Sequence, residues 1–395
     1  MGRRIGAMLC ALGLLLTGLT AVTSAPRAEA VISGTILFRA DTADDYACYR
    51  IPSIVRTNEG TLLAFAQGRR GTCADHGEAD LVVRRSTDNG ATWSAVKVIA
   101  TGNDPGGTSQ AGWSNPVPIV DRASDRITVL ASEGMSGDLR TVHQLVSVND
   151  GVTFTPPECI QVAASVPGCD GGYLDLAGWN VLAGPAHGIQ LERGDHPGRM
   201  VVPLWAMNPA GALVLVYSDD AGRTWQKGAT YTTVNGVQAQ EPNLFERNDG
   251  SIYVMARDEN GGAVEGYDKS RAVSSDGGET FDGPFLNVTT LLAPNVQGAV
   301  LRLRSTLDGD DYNRVLFSSP SDGRNRMMIR SSYNEGANWT GVNDGGVIFA
   351  GESAYSDMVE LANGRIGVLY ERGTDNPYQL IVFNHFLESD IGLPD

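Results

Sequence analysis

Along most of the chain, apolar residues alternate with polar ones over short stretches, and the stretches come in pairs separated by turn residues. Residues 61–69 with 79–86, 127–132 with 139–147, 199–207 with 211–218, 251–258 with 267–275, 313–320 with 325–332, and 364–373 with 378–386 make six such pairs, rich in Val, Ile, Leu and aromatics. Period-two alternation bounded by Gly, Asn, Asp and Ser predicts β-strands. Long helical periodicity is absent, so the chain is expected to be all-β.

An eight-residue pattern recurs after the strand pairs. It runs Ser-Thr-Asp-Asn-Gly-Ala-Thr-Trp from Ser86 to Trp93 and returns over Ser218–Trp225 and Ser274–Phe281, with degenerate copies at Ser147–Phe154 and Ser332–Trp339. The first serines lie 61, 71, 56 and 58 residues apart. Each copy has the chemistry of a turn: an Asp or Asn oxygen accepts backbone N–H groups, Gly takes a positive φ, and an aromatic anchors the loop. Five equivalent copies argue for a structural role rather than a catalytic one. A repeat of this period with six strand pairs predicts a six-bladed β-propeller of four-stranded antiparallel sheets, the strand near Thr35–Arg39 completing the last blade.

The N-terminus carries Arg3 and Arg4, an apolar run from Ile5 to about Val22, and Ala28-Glu29-Ala30. These three parts predict a secretory signal peptide over residues 1–30 and a secreted, extracellular propeller domain over 31–395. The apolar run falls short of the roughly 20 residues that span a bilayer, so no membrane span is expected. The leader holds three arginines and one glutamate, and its removal takes the formal net charge from −16 to −18. Nucleic acid and anionic membranes are therefore excluded as partners. Cys48, Cys73, Cys159 and Cys169 remain, and an oxidising destination favours disulfides among them in any of three pairings. No His or Cys pair has zinc-ligand spacing. No cofactor or metal is expected for catalysis, while a structural calcium stays open, and a monomer is expected.

The repeat is similar to the Asp box of sialidases, and Tyr49-Arg50-Ile51-Pro52 resembles their R-I-P motif. The resemblance covers essentially the whole of 31–395 and implies an exo-α-sialidase acting on sialylated glycans, glycoproteins or glycolipids. It puts Arg50, Arg257 in Met255-Ala256-Arg257-Asp258, and Arg324 in Arg324-Asn325-Arg326-Met327-Met328-Ile329-Arg330 in the roles of three arginines that grip the sialic acid carboxylate, with Arg326 the alternative to Arg324. Tyr355 in Ala354-Tyr355-Ser356-Asp357 matches the nucleophile, and Glu241 in Gln240-Glu241-Pro242-Asn243 matches its base. Asp75 matches the acid/base, Glu371 in Leu369-Tyr370-Glu371 the carboxylate that holds the first arginine, and Arg69 and Asn115 look like accessory contacts to the sugar.

The chemistry suits these residue types. Sialic acid bears a carboxylate on its anomeric carbon, so a carboxylate nucleophile would approach against like charge, whereas a phenol is neutral. Tyrosine, with a reference pKa near 10, then needs a base in hydrogen-bond reach. Three guanidinium groups can bind one carboxylate with several charge-assisted bonds, and lysine lacks the planar fork. The same constellation would serve a trans-sialidase or a hydrolase for a related nonulosonic acid such as Kdn. A sugar-binding propeller without activity would be expected to lack Tyr355, Glu241 or Asp75.

Overall fold

The computed structural model describes residues 1–2, 34–40, 46–75, 77–102, 112–134, 139–261 and 266–392. The segment expected to be a signal peptide lies outside the described residues apart from Met1 and Gly2.

All six predicted strand pairs are present as antiparallel hairpins: Leu62–Arg70 with Ala79–Ser86, Ile127–Glu133 with Thr141–Ser147, Met200–Asn208 with Ala212–Ser218, Ile252–Asp258 with Lys269–Ser274, Arg314–Asp322 with Asn325–Ser332, and Ile366–Arg372 with Leu380–Phe386. Each hairpin is flanked by a further strand on the side that meets the other sheets. These flanking strands are Tyr46–Arg56, Trp113–Val120, Asn180–Ala183 with Ile189–Gln190, Ala239–Glu246, Ala299–Arg304 and Gly346–Glu360. The result is an all-β, propeller-like arrangement of antiparallel sheets.

Hydrogen bonding among the described residues divides the strands into five sheets rather than the six expected: three of four strands, one of five and one of seven. The seven-stranded sheet arises because Gly346–Glu360 is continuous; its first half pairs with Asn325–Ser332 and its second half with Ile366–Arg372. Thr35–Arg39 pairs with Leu380–Phe386, so the N-terminal strand closes the last hairpin as expected.

Apolar packing lies between successive hairpins. Leu63, Phe65 and Val83 pack on Val129 and Leu145; Leu130 and Val142 on Leu204 and Val214; Leu213 and Leu215 on Val254 and Ala272. Tyr253 and Met255 pack on Val315 and Phe317, Leu316 and Ile329 on Val368 and Val382, and Leu369 and Phe383 on Leu62 and Ala64. The last cluster joins the two ends of the chain and closes the ring.

The repeated turns lock these layers together. In every copy the serine hydroxyl accepts the N–H of the glycine four residues on, at 2.9–3.0 Å. The Asp or Asn side chain accepts the N–H four residues after itself, at 2.8–2.9 Å. Hydrogen bonds from Thr92 hold the Asp88 carboxyl down to about 2, well below its ordinary value. The box glycine then seats on a neighbouring hairpin: a Cβ on Gly90 would lie 2.3 Å from the Phe383 ring, and one on Gly336 2.7 Å from Tyr253. The three aspartates and two asparagines serve the turn, as the fivefold recurrence of the box implied.

Candidate active site

Breaks in the strand ladder mark the site. The register slips between Arg50 and Ser53, between Ser114 and Val117, between Gln240 and Asn243, and between Ser353 and Ser356, on four of the flanking strands. Three of the slips contain an X-Pro pair, Ile51-Pro52, Asn115-Pro116 and Glu241-Pro242, whose first residues have φ of 59°, 51° and 48°. Proline brings no N–H to the ladder, and a bulge re-aims the side chains beside it. Left-handed φ at non-glycine residues costs of order 1–3 kcal/mol each and clusters where a side chain has to be aimed. Arg50, Asn115, Glu241 and Tyr355 stand at these four slips.

Five or six residues further along the same strands, Arg56, Val120, Glu246 and Glu360 line a cavity of about 930 Å³. That is roughly 17–20 Å away at strand rise. None of the nine expected site residues lines this cavity.

At the bulged end, eight of those residues come together around two carboxylates and one phenol. The Glu371 carboxylate, fully buried, accepts Arg50 Nε at 2.7 Å, the Ile51 N–H at 2.8 Å and the Tyr355 N–H at 3.1 Å. One anion thereby fixes the first arginine and the tyrosine strand together. The Tyr355 hydroxyl donates to Glu241 Oε1 in a very short hydrogen bond. Arg257 Nη1 donates to Glu241 Oε2 at 3.1 Å and lies 3.5 Å from the Tyr355 hydroxyl. The Arg50 and Arg324 guanidinium carbons sit 5.2 and 5.8 Å from the centre of the Tyr355 ring. Among the described residues Arg324 Nη1 is buried without a hydrogen-bond partner, a donor position open to an incoming anion. Arg326, the alternative, directs a guanidinium nitrogen to the Met328 sulfur instead.

Asp75 stands at the rim. Its side chain is 69 % exposed, 2.6 Å from Arg69 Nη1 and 3.8 Å from Arg50 Nη1. Arg69 also donates to the Cys73 carbonyl at 2.8 Å, and the Cys48–Cys73 disulfide ties this loop to the Arg50 strand. The second disulfide joins Cys159 and Cys169. Asn115, at the second slip, is buried and its amide donates to the Ala183 carbonyl at 2.8 Å.

The electrostatics follow from burial and pairing. Burial, reinforced by the Glu241 charge, pushes the Tyr355 phenol well above its ordinary value of 10, so the resting group is protonated. Burial alone would lower Arg50 and Arg257, but Glu371 and Glu241 respectively outweigh it and raise both. Arg69 is lowered, first by burial and then by the Arg50 charge. The site thus gathers four guanidinium groups, three of them paired with carboxylates, in a strongly acidic chain.

Three neighbours escaped sequence reading. Asn295 Oδ1 accepts Arg257 Nε in a very short hydrogen bond, and Glu259 pairs with Arg257 Nη2. Tyr378 stacks on Arg50, its ring centre 3.8 Å from the guanidinium carbon. Glu259 is two residues beyond Arg257 and could have been suspected, but no motif marks Asn295 or Tyr378.

The family model described as a BNR repeat-like domain matches residues 60–368. The chain belongs to this BNR-repeat, Asp-box family. Among curated relatives, a sialidase of Micromonospora viridifaciens is 31% identical over 84% of this chain and 50% of its own length. An exo-alpha-sialidase of Arthroderma benhamiae is 26% identical over 86% of this chain and 83% of its own length. The chain therefore spans half of the first relative and most of the second. Among solved structures, a Hadza microbial sialidase superposes with a TM-score of 0.75 at 23% identity, covering 91% of this chain and 69% of its own. The intramolecular trans-sialidase of Ruminococcus gnavus gives 0.72 at 18% identity, covering 92% and 99%. At these identities the superpositions speak to the fold, which is that of the sialidase propellers.

Proposed function

We propose that this chain is a secreted exo-α-sialidase that releases terminal α-linked sialic acid with retention of configuration, through a covalent adduct on Tyr355. The observation that carries the reading is the buried Tyr355–Glu241 hydrogen bond enclosed by Arg50, Arg257 and Arg324. Most glycosidases use two carboxylates; sialidases are the known tyrosine exception.

The three arginines bind the carboxylate of the sugar and so hold its anomeric carbon over the Tyr355 oxygen. As that oxygen bonds to the anomeric carbon, Glu241 takes the phenol proton and Asp75 protonates the departing glycosidic oxygen. In the second half Asp75 takes a proton from water as the water oxygen attacks the anomeric carbon. The bond to Tyr355 breaks and Glu241 returns the proton to it. The exposed rim position of Asp75 suits a group that must meet the aglycone and then water. Glu371 holds Arg50 and the Tyr355 backbone in one frame, and Arg69 orients Asp75. Asn115, held by its amide on the Ala183 carbonyl, serves as an accessory contact to the sugar.

The same reading takes the fold as six-bladed. The long strand Gly346–Glu360 serves as outer strand to one blade and inner strand to the next, and the six apolar clusters between successive hairpins support that division.

The test is release of 4-methylumbelliferone from its α-sialoside by the purified protein beside Tyr355→Phe. Turnover in the parent that falls at least about 10³-fold in the variant is expected. A folded parent without turnover would overturn the enzymatic reading, and unchanged turnover in Tyr355→Phe would overturn the tyrosyl step. Free sialic acid as the product distinguishes hydrolysis from transfer.

A further inference from the structure

Lys269 is 1% exposed in the sheet that carries Arg257, and the two residues face each other across the ladder. Directly paired residues share a face of the sheet. The Lys269 ammonium reaches past its own strand to two carbonyls, Pro294 at 2.5 Å and Val296 at 2.7 Å. These flank Asn295, whose side-chain oxygen accepts Arg257 Nε and whose amide donates to the Glu259 carbonyl at 3.3 Å. On the far side Val296 packs with Ile51, Ala354 and Tyr355. The segment 294–296 thus bridges Arg257 and Tyr355, and Lys269 is its underside support.

A buried ammonium is an expensive way to hold a loop. Burial first and the neighbouring Arg257 charge second pull Lys269 down to about 7. An apolar side chain of the same length would fill the space without that penalty. What it could not do is donate to both carbonyls at once; the amine keeps two N–H donors even when neutral, so the clamp persists on either side of its titration.

Building on the sialidase reading, we propose that Lys269 is a positioning residue for substrate binding: it pins Pro294–Asn295–Val296 so that the Asn295 oxygen holds Arg257 Nε and, together with Glu241 on Nη1 and Glu259 on Nη2, fixes the guanidinium plane that meets the substrate carboxylate. Such a contact serves ground state and transition state alike, so its loss belongs in KM.

The experiment compares the full-length parent with Lys269→Met, Asn295→Ala and the double variant, using the 4-methylumbelliferyl α-sialoside and thermal unfolding. Either single change is expected to raise KM about tenfold while kcat stays within about threefold, and the double variant should be no worse than the worse single one, because both act on one contact. Lys269→Met takes the donor from the Pro294 and Val296 carbonyls, so a modest fall in Tm is expected beside the KM effect. Additive effects, an unchanged KM, or a loss confined to kcat would overturn the proposal. A Lys269→Met that does not fold leaves Asn295→Ala to be compared with Asn295→Asp, which keeps the acceptor; failure of Asn295→Asp to restore KM overturns it too. An inactive parent counts against the sialidase reading alone. The clamp is then judged by a crystal structure of Lys269→Met, or of Lys269→Arg where Met does not fold: Asn295 still seated on Arg257 Nε in the Met variant, or displaced in the Arg variant, rejects it.

Discussion

Glu371 shows how much a single buried anion organises. Its two oxygens take one guanidinium N–H and two backbone N–H groups from two strands that are more than 300 residues apart. Glutamine at this position would keep one acceptor but present an NH₂ group to donors at a fully buried position. Breaking a buried, hydrogen-bonded ion pair by removing one partner costs about 3–5 kcal/mol. Glu371→Gln is therefore expected to lower kcat/KM by about 10²-fold or more and to lower Tm, because both Arg50 and the Tyr355 backbone lose their anchor. Steady-state kinetics on the folded variant decide it: kcat/KM within a factor of about three of the parent would mean that Arg50 is held by Tyr378 stacking alone.

At the scale of the element, the repeated turns are inter-hairpin locks, and their glycines can be tested against one that is free. Gly90 and Gly364 both have left-handed φ, 86° and 73°, yet a Cβ on Gly90 would strike Phe383 whereas one on Gly364 meets nothing within 4 Å. Gly364→Ala should cost only the conformational penalty of about 1 kcal/mol. Gly90→Ala adds overpacking worth a further 1–3 kcal/mol or so. Urea unfolding should separate the two variants by about that margin; equal midpoints would mean that the Phe383 ring yields freely. The turns and the paired strands beside them were legible because alternation, Gly and Asp carry local signals. The flanking strands were not: Tyr46–Arg56, Trp113–Val120 and Ala239–Glu246 contain Pro and buried Arg, Asn or Glu, residues that argue against a strand unless the ladder is known to bulge there. The site residues on them were reached through family motifs rather than through physics. Asn295 had neither motif nor periodicity, and Tyr378, placed at the start of a predicted strand, had no motif; both act from loops whose placement depends on the closed ring.

Across the whole molecule, one ion pair ties distant parts of the ring. His187 Nδ1 lies 2.8 Å from Asp357 Oδ1, while Asp357 Oδ2 accepts the Ile54 N–H at 2.9 Å. Burial would lower His187, but the Asp357 charge and hydrogen bond outweigh it and hold the imidazole above its ordinary 6.5. A group raised on folding stabilises the fold fully below its unfolded value, and that contribution fades as pH rises through the folded value. The stability difference between the parent and His187→Gln should accordingly be larger at about pH 5.5 than at about pH 9. A difference that does not change with pH would show that the pair acts only as a neutral hydrogen bond.

The same scale raises a conflict between the site and its surroundings. The chain carries a formal net charge of −16, yet the proposed substrate is an anion and the groups meant to receive it are Arg50, Arg257 and Arg324. Those arginines are paired with Glu371, Glu241 and Glu259 or enclosed, so their field is short-ranged. Exposed charges are screened over about 8–10 Å near physiological ionic strength, whereas buried contacts are screened much less. Salt should therefore weaken the long-range repulsion more than the final grip. Raising the salt from about 20 to about 200 mM is expected to increase kcat/KM by about twofold for a singly charged sialoside. The increase should be larger for a heavily sialylated glycoprotein, whose own charge multiplies the repulsion. A fall in kcat/KM with salt would mean that the arginine cluster already dominates the potential at the mouth, and the acidic surface would then have no part in substrate encounter.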